Sequence, residues 1–151
     1  MTSTELEEIV PVLRYANYEV TSPVDDGYNC AAWAVGDNVR FWDPSPIGAY
    51  HWPDGLPRDR STATYILAFE TVGFSVGGDA SLEAGIEKIA IYGLNGQFQH
   101  AARQLADGRW ASKCGEKEDI IHSHPYELEG DELGYGAVVA IMRRSLTGAA
   151  R

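Results

Sequence analysis

Two residues suited to nucleophilic catalysis stand far apart in this chain, a cysteine at position 30 and a histidine at position 100. Cys30 lies where a turn rich in Asp and Gly gives way to a short apolar helix, and His100 lies between two hairpin turns. A thiol at a helix start faces unpaired backbone N–H groups and the positive end of the helix dipole, so we expect a lowered pKa for Cys30. The pair predicts a nucleophile with its base, acting on a carbonyl group.

The turn that follows His100 decides which residues share its face of the predicted sheet. A three-residue loop would pair Leu105 with Arg109 and would place Ser112 on the face of His100. A two-residue turn would shift the pairing by one position and would place Lys113 there instead. A working histidine base needs a further polar group to fix its tautomer. The candidates, in order of preference, are Ser112, Asp119 and His122, with Gln104 flanking the site from the same strand.

An acyl-transfer site also needs donors for the negative oxygen that develops during attack. The backbone N–H of Cys30 at its helix start is the first candidate, assisted by the side chain of Asn29 or Tyr28. Asn29 has an alternative role as the N-cap of the helix. The three tryptophans predicted to bind substrate are Trp33, Trp52 and Trp110.

A zinc site is a competing interpretation of His122-Ser123-His124, with Cys114 and His100 as further ligands. Histidines two positions apart on an extended segment point to opposite sides. We therefore expect no metal and no other cofactor.

Residues 36–60 contain four prolines, three glycines and two tryptophans, without a helical or strand period. A structureless stretch of this length in a compact domain often forms a site wall or lid. Trp52 is the stronger candidate for such a surface, whereas Trp42 is more typical of a residue that completes the core.

Composition limits the function classes. The 151 residues carry a formal charge of −10, which disfavours nucleic acid and anionic membranes as partners and favours a basic protein. No apolar run is long enough to span a bilayer, and the acidic start lacks the features of a secretory signal. We expect a single cytoplasmic domain over residues 1–151, with Cys30 and Cys114 as free thiols.

The apolar spacing and the turn residues predict an α+β fold. The helices are predicted at 4–16, interrupted by Pro11, at the short segment beginning with Cys30, and from Ser61 to about Val72. The Asn95-Gly96 and Asp107-Gly108 turns predict an antiparallel meander. The predicted strands are 18–22, 74–76, 87–93, 97–105, 109–114 and 135–142, the last buried on both faces.

The chain resembles an uncharacterised family of bacterial proteins. The motifs that carry the resemblance are Asn-Cys-x-Ala-Trp-Ala at 29–34, Trp-Pro-x-Gly at 52–55, His-Ala-Ala-Arg-Gln at 100–104, Trp-x-Ser-Lys-x-Gly at 110–115 and Asp-Ile-x-His at 119–122. More remotely, the order of cysteine helix and meander is similar to the NlpC-type branch of papain-like cysteine peptidases and amidases. That resemblance implies a papain-like fold and a third polar residue about a dozen positions after His100, which falls on Ser112.

Two functional hypotheses follow. The first is a thiol-dependent hydrolase or acyl transferase acting on an amide-type bond in a peptide, a protein or a small molecule, with Cys30 as nucleophile and His100 as base. The second is a catalytically inactive binding module of the same fold, whose surface is the aromatic loop 41–56.

Overall fold

The computed structural model describes residues 2–21, 29–36, 42–44, 51–114 and 119–146. The helices are α1 (Thr4–Ile9), α2 (Cys30–Ala34) and α3 (Thr62–Glu70), with two 3-10 helices at Pro11–Tyr15 and Pro125–Leu128. The strands are β1 (Tyr18–Val20), β2 (Ser75–Val76), β3 (Ile86–Leu94), β4 (Gln97–Gln104), β5 (Trp110–Lys113), β6 (Asp119–His122) and β7 (Ala137–Ser145).

The seven strands form one sheet in the order β1-β6-β5-β4-β3-β7-β2, and every pairing of neighbours in it is antiparallel. A few helices packed on an antiparallel sheet make the fold α+β, as the sequence predicts. Within the described residues, no helix is both long and apolar enough to cross a membrane.

The sheet is covered by helical layers on its two faces. We call one the thiol face, because Ile91 and Ala101 pack there against α2, which begins with Cys30, and against α3. We call the other the histidine face, because Tyr92 and His100 point there, toward the layer built from α1 and the two 3-10 helices. Since successive residues of a strand alternate between faces, adjacent positions such as His100 and Ala101 belong to different cores.

The turn chemistry fixes the register of the meander as the three-residue alternative predicts. Leu105 donates its N–H to the carbonyl of Arg109 at 2.7 Å, and Gly108 has a φ of +92°. Ala102 is consequently opposite Ser112, which confirms that Ser112 shares the face of His100. The two-residue alternative, which places Lys113 on that face, is wrong.

Element ends differ from the sequence prediction where tertiary contacts decide them. Pro11 ends α1, and the chain continues as a 3-10 helix. The polar segment starting at Asp119 was not predicted as a strand, yet it forms β6 between β1 and β5. The prediction that the last strand is buried on both faces is wrong, since Val139 on β7 is 51% exposed.

Candidate functional site

Asn29 positions the candidate nucleophile by holding the start of α2. Its side-chain oxygen accepts the N–H groups of Ala32 and Trp42, each at 3.1 Å, and its amide nitrogen donates to the carbonyl of Trp42 at 2.8 Å. The N-cap alternative for Asn29 is therefore confirmed. The same side chain also ties Trp42 to the helix start, so it is occupied by structural hydrogen bonds.

Replacing Asn29 with Ala should destabilise the fold by about 2–3 kcal/mol, because a helix cap and two further hydrogen bonds are lost together. Ser61→Ala is the matched control, since Ser61 caps α3 through Thr64. It should cost about 1 kcal/mol, the usual value of a cap. Urea unfolding of the two variants measures the difference, and equal losses would contradict the proposed tie between Asn29 and Trp42.

Cys30 is the first residue of α2 and is half-buried. Backbone N–H groups of Ala101, Ala31 and Cys30 itself face the sulfur, and Lys113 lies close enough to stabilise its negative charge. Burial outweighs these contributions and raises the pKa of the Cys30 thiol to about 11. The predicted lowering of this pKa is therefore wrong. The start of a five-residue helix stabilises the thiolate by less than burial of the sulfur destabilises it.

His100 is fully buried on the histidine face, away from the face on which α2 packs. Its ring stacks on that of Tyr135, with centroids 4.1 Å apart and planes at 10°, and neither ring nitrogen has a hydrogen-bond partner among the described residues. Burial lowers the pKa of His100 to about 3. No hydrogen bond joins His100 to Cys30 in this part of the chain, so the predicted nucleophile–base contact is not formed.

Ser112 contacts a different histidine from the predicted one. Its hydroxyl lies 2.8 Å from Nε2 of His122, whose Nδ1 lies 3.0 Å from the carbonyl oxygen of His124. Because a carbonyl only accepts, Nδ1 donates and Nε2 accepts the serine proton. Burial lowers the pKa of His122 to about 4, so its ring is neutral at pH 7. The prediction that Ser112 orients His100 is wrong, and both residues of the observed pair are buried.

Lys113 is the polar residue near Cys30 that the sequence analysis did not select. It lies directly opposite Asp119 on β6, and both side chains are buried, with 0% and 4% exposure. Continuing the register of β4 and β5 places Lys113 beside Ala101, on the thiol face. The parity of β5 could have revealed this, because Ser112 and Lys113 must point to opposite faces. Asp119 thus faces Lys113 and the thiol side, on the face opposite to His100.

The predicted substrate-binding tryptophans are mostly core residues. Trp52 is 4% exposed and packs edge-on against Tyr65, and Trp110 is 1% exposed. Trp42 is likewise buried, so the predicted aromatic surface is wrong for the part of loop 41–56 that the structure describes. Trp33 remains half-buried, with the guanidinium of Arg103 lying 3.8 Å from its ring centroid.

The remaining predicted site residues are not brought together with Cys30. Gln104 lies at the far end of β4, where its amide donates to the carbonyl of Ala80 at 3.0 Å. Tyr28 and residues 41 and 45–50 of the aromatic loop lie outside the described residues. Among the described residues, no three His, Cys, Asp or Glu side chains are arranged to hold a metal ion.

Two cavities of the structure lie away from the thiol. One, of about 480 Å³, is lined mainly by residues 82–87 and 104–106, and the other, of about 170 Å³, lies beside His122. Neither is lined by Cys30.

Comparison with known proteins identifies a family of unknown function. No curated protein and no solved structure matches the chain. Residues 19–143 match the family model described as a domain of unknown function, DUF7689, and the chain therefore belongs to that family.

Proposed function

We propose that this protein is a thiol-dependent hydrolase or acyl transferase of papain-like architecture that attacks an amide-type carbonyl through Cys30. The observation that carries the proposal is the position of the thiol, half-buried at the first residue of α2 and facing the backbone N–H of Ala101. A thiol so placed has donors beside it for the negative charge of attack. The order of a cysteine helix followed by an antiparallel meander supports the proposed architecture.

The proposed reaction proceeds in two steps. The sulfur of Cys30 forms a bond to the carbonyl carbon while the C–N bond breaks, and the thiol proton ends on the departing amine. Water then cleaves the thioester, which releases a carboxylic acid and restores the thiol. Because the pKa of Cys30 is about 11, the thiol is protonated at neutral pH and must be activated during attack.

The activating group has to lie on the thiol face. His100 points away from that face and makes no described hydrogen bond to Cys30, so the proposal assigns no proton transfer to it. The substrates that fit are those with an amide-type carbonyl, in a peptide, a protein or a small molecule. A reducing compartment such as the cytoplasm would keep both cysteines free, as the chemistry requires.

The proposed activity can be measured with p-nitrophenyl acetate as an activated acyl donor. We expect acetylation of Cys30, seen by mass spectrometry, and release of more than one equivalent of nitrophenolate per chain as the thioester is hydrolysed. Cys30→Ala should abolish both signals. Cys114→Ala is the matched control and should retain them, because Cys114 is buried.

This experiment distinguishes an enzyme that turns over from a thiol that is merely acetylated. Acetylation that stops at one equivalent, or that proceeds equally at Cys30 and Cys114, would reject hydrolase activity toward this donor. Nitrophenolate release that persists in Cys30→Ala would place the chemistry elsewhere in the chain.

A second candidate function, a non-catalytic interaction module, is favoured by the raised pKa of Cys30 and the isolation of His100. Its surface would be the exposed apolar side chains on and beside the layer built from α1 and the two 3-10 helices. The segment before β7 joins this layer, since the N–H of Val12 donates to the carbonyl of Leu133 at 2.7 Å. Acidic residues surround them, so a basic protein would be the complementary partner. The exposed apolar residues are Ile9, Tyr15, Tyr126 and Leu133, and the exposed acids are Glu5, Glu8, Asp131 and Glu132.

A further inference from the structure

The sheet register brings a lysine to the cysteine. Ala101 on β4 directs its backbone N–H toward the sulfur of Cys30, and the continued β4–β5 register places Lys113 next to Ala101. Both residues belong to the thiol face, on which α2 packs. The charge of Lys113 therefore acts on the thiol from the face of the sheet on which α2 packs.

The burial of Lys113 requires a compensating charge. A fully buried ammonium loses its hydration, which costs several kcal/mol, and a carboxylate close to it would offset that cost. Asp119 is buried directly opposite Lys113 on β6. Residues directly opposite on antiparallel strands have Cβ atoms about 5 Å apart, so the two side chains extend side by side. A buried ion pair gains little net stability over apolar residues of the same size. The presence of a buried lysine near a half-buried thiol is better explained by its electrostatic stabilisation of the thiolate.

Other groups near Cys30 do not supply the same charge. Arg103 shares the thiol face, but its guanidinium covers the ring of Trp33 and donates to the Trp33 carbonyl at 3.3 Å. Tyr65 on α3 and Tyr135 before β7 also interact electrostatically with Cys30, and burial raises the pKa of both hydroxyls, so they stay neutral. Of the charged side chains that the structure describes near the sulfur, Lys113 is the one whose field lowers the pKa of the thiol, by less than each of the three backbone N–H groups does.

We propose that Lys113, buried directly opposite Asp119, is the activating cation of Cys30 and stabilises the thiolate that attacks the substrate. The inference rests on the proposed function and assigns activation of the thiol to Lys113, which stabilises the thiolate but accepts no proton. Lys113 is a positioning residue in this scheme, since it acts through the charge on Cys30. Asp119 positions the ammonium in turn. The thiol proton passes to solvent water when the thiolate forms, and water returns a proton to the departing amine when the C–N bond breaks.

The test is the pH profile of Cys30 alkylation by iodoacetamide, read by peptide mass spectrometry. Well below its pKa a thiol reacts in proportion to its thiolate fraction, so a rise of one pKa unit slows alkylation by up to about tenfold. We expect Lys113→Met to slow alkylation of Cys30 severalfold between roughly pH 8 and 10. An unchanged profile in this variant would overturn the proposal.

Lys88→Met is the matched control, because Lys88 is also buried, with its ammonium 2.8 Å from a carboxylate oxygen of Glu83. It points to the histidine face, so its removal should leave the Cys30 profile in place. An equal slowing in both lysine variants would mean that loss of any buried lysine loosens the fold, and would also overturn the proposal.

Further variants keep the proposal testable if Lys113→Met does not fold. Lys113→Gln retains a hydrogen-bond partner for Asp119 while removing the charge, and should slow alkylation in the same way. Lys113→Arg keeps the charge and should restore the wild-type profile. A purely structural role for Lys113 predicts that Gln and Arg behave alike, which would contradict the assignment.

The result is independent of the acetylation experiment, because iodoacetamide needs no substrate site. A shifted profile without turnover would leave the Lys113–Cys30 pair standing and reject the proposed hydrolase. Turnover with an unshifted profile would retain the hydrolase and reject Lys113 as its activating cation.

Discussion

Lowering the pH from 7.5 to 5 is expected to remove about 4 kcal/mol of folding stability, through two buried histidines. The pKa of His100 is about 3 and that of His122 about 4 in the folded chain, against an ordinary value of 6.5. Between these values the unfolded chain binds more protons than the folded one. The stability is therefore complete above pH 6.5 and is lost as the pH falls toward 4, with about 2 kcal/mol from each histidine at pH 5.

Urea unfolding at the two pH values measures this loss. His100→Phe keeps an aromatic ring against Tyr135 and removes both unpartnered nitrogens, so the variant should be more stable at pH 7.5 and should lose only about half as much at pH 5. His124→Gln is the control, because His124 is exposed, and should leave the loss unchanged. A full loss in His100→Phe would show that other groups cause the acid sensitivity.

Local turn chemistry made much of the meander predictable. Gly108 accepts a left-handed φ that other residues adopt rarely, so the loop closed with three residues and set every pairing between β4 and β5. The Ser61 cap of α3 was predictable for the same reason, since the hydroxyl and the N–H it accepts are three residues apart. Information of this kind lies within a few positions of the chain.

The face on which α2 packs was not predictable from such local information. His100, Ala101 and Ala102 are all fully buried, because helical layers cover both faces of β4. A strand with one wet face would have shown its orientation through alternating polarity. Here the residues on the two faces of β4 show no such contrast. The sequence therefore predicts a contact of Cys30 with His100, whereas α2 packs on the face that carries Ala101 and Lys113.

The candidate site therefore divides into a part that sequence indicates and a part that only packing determines. The helix start at Cys30 and its Asn29 cap are local features, and both are present. The pKa of the thiol depends on how many atoms surround it, which is a tertiary property. Activation through Lys113 would make a thiol with a raised pKa usable as a nucleophile, because a buried cation acts most strongly where water is excluded.

Gly136→Ala is expected to be among the most destabilising single substitutions in this chain, costing about 4 kcal/mol. Gly136 has a φ of +83°, and a Cβ there would lie 2.8 Å from the carbonyl carbon of Gly93 and closer still to its oxygen. The obstacle is backbone of β3, so no side-chain rotation relieves it. Two hydrogen bonds of 2.8 Å to Gly130 also hold the backbone of Gly136 in place. The preceding residue is Tyr135, so the strain reaches the ring that stacks on His100.

Gly96→Ala separates the steric cost from the conformational one. Gly96 has a nearly equal φ of +79°, but a Cβ there would meet nothing within 4 Å. Its replacement should cost only the strain of a left-handed residue, about 1 kcal/mol. Urea unfolding of the two variants at pH 7.5 gives the difference directly. A Gly136→Ala variant no less stable than Gly96→Ala would mean that β7 moves away from β3 at low cost, and that the stacking of Tyr135 on His100 is not fixed by the sheet.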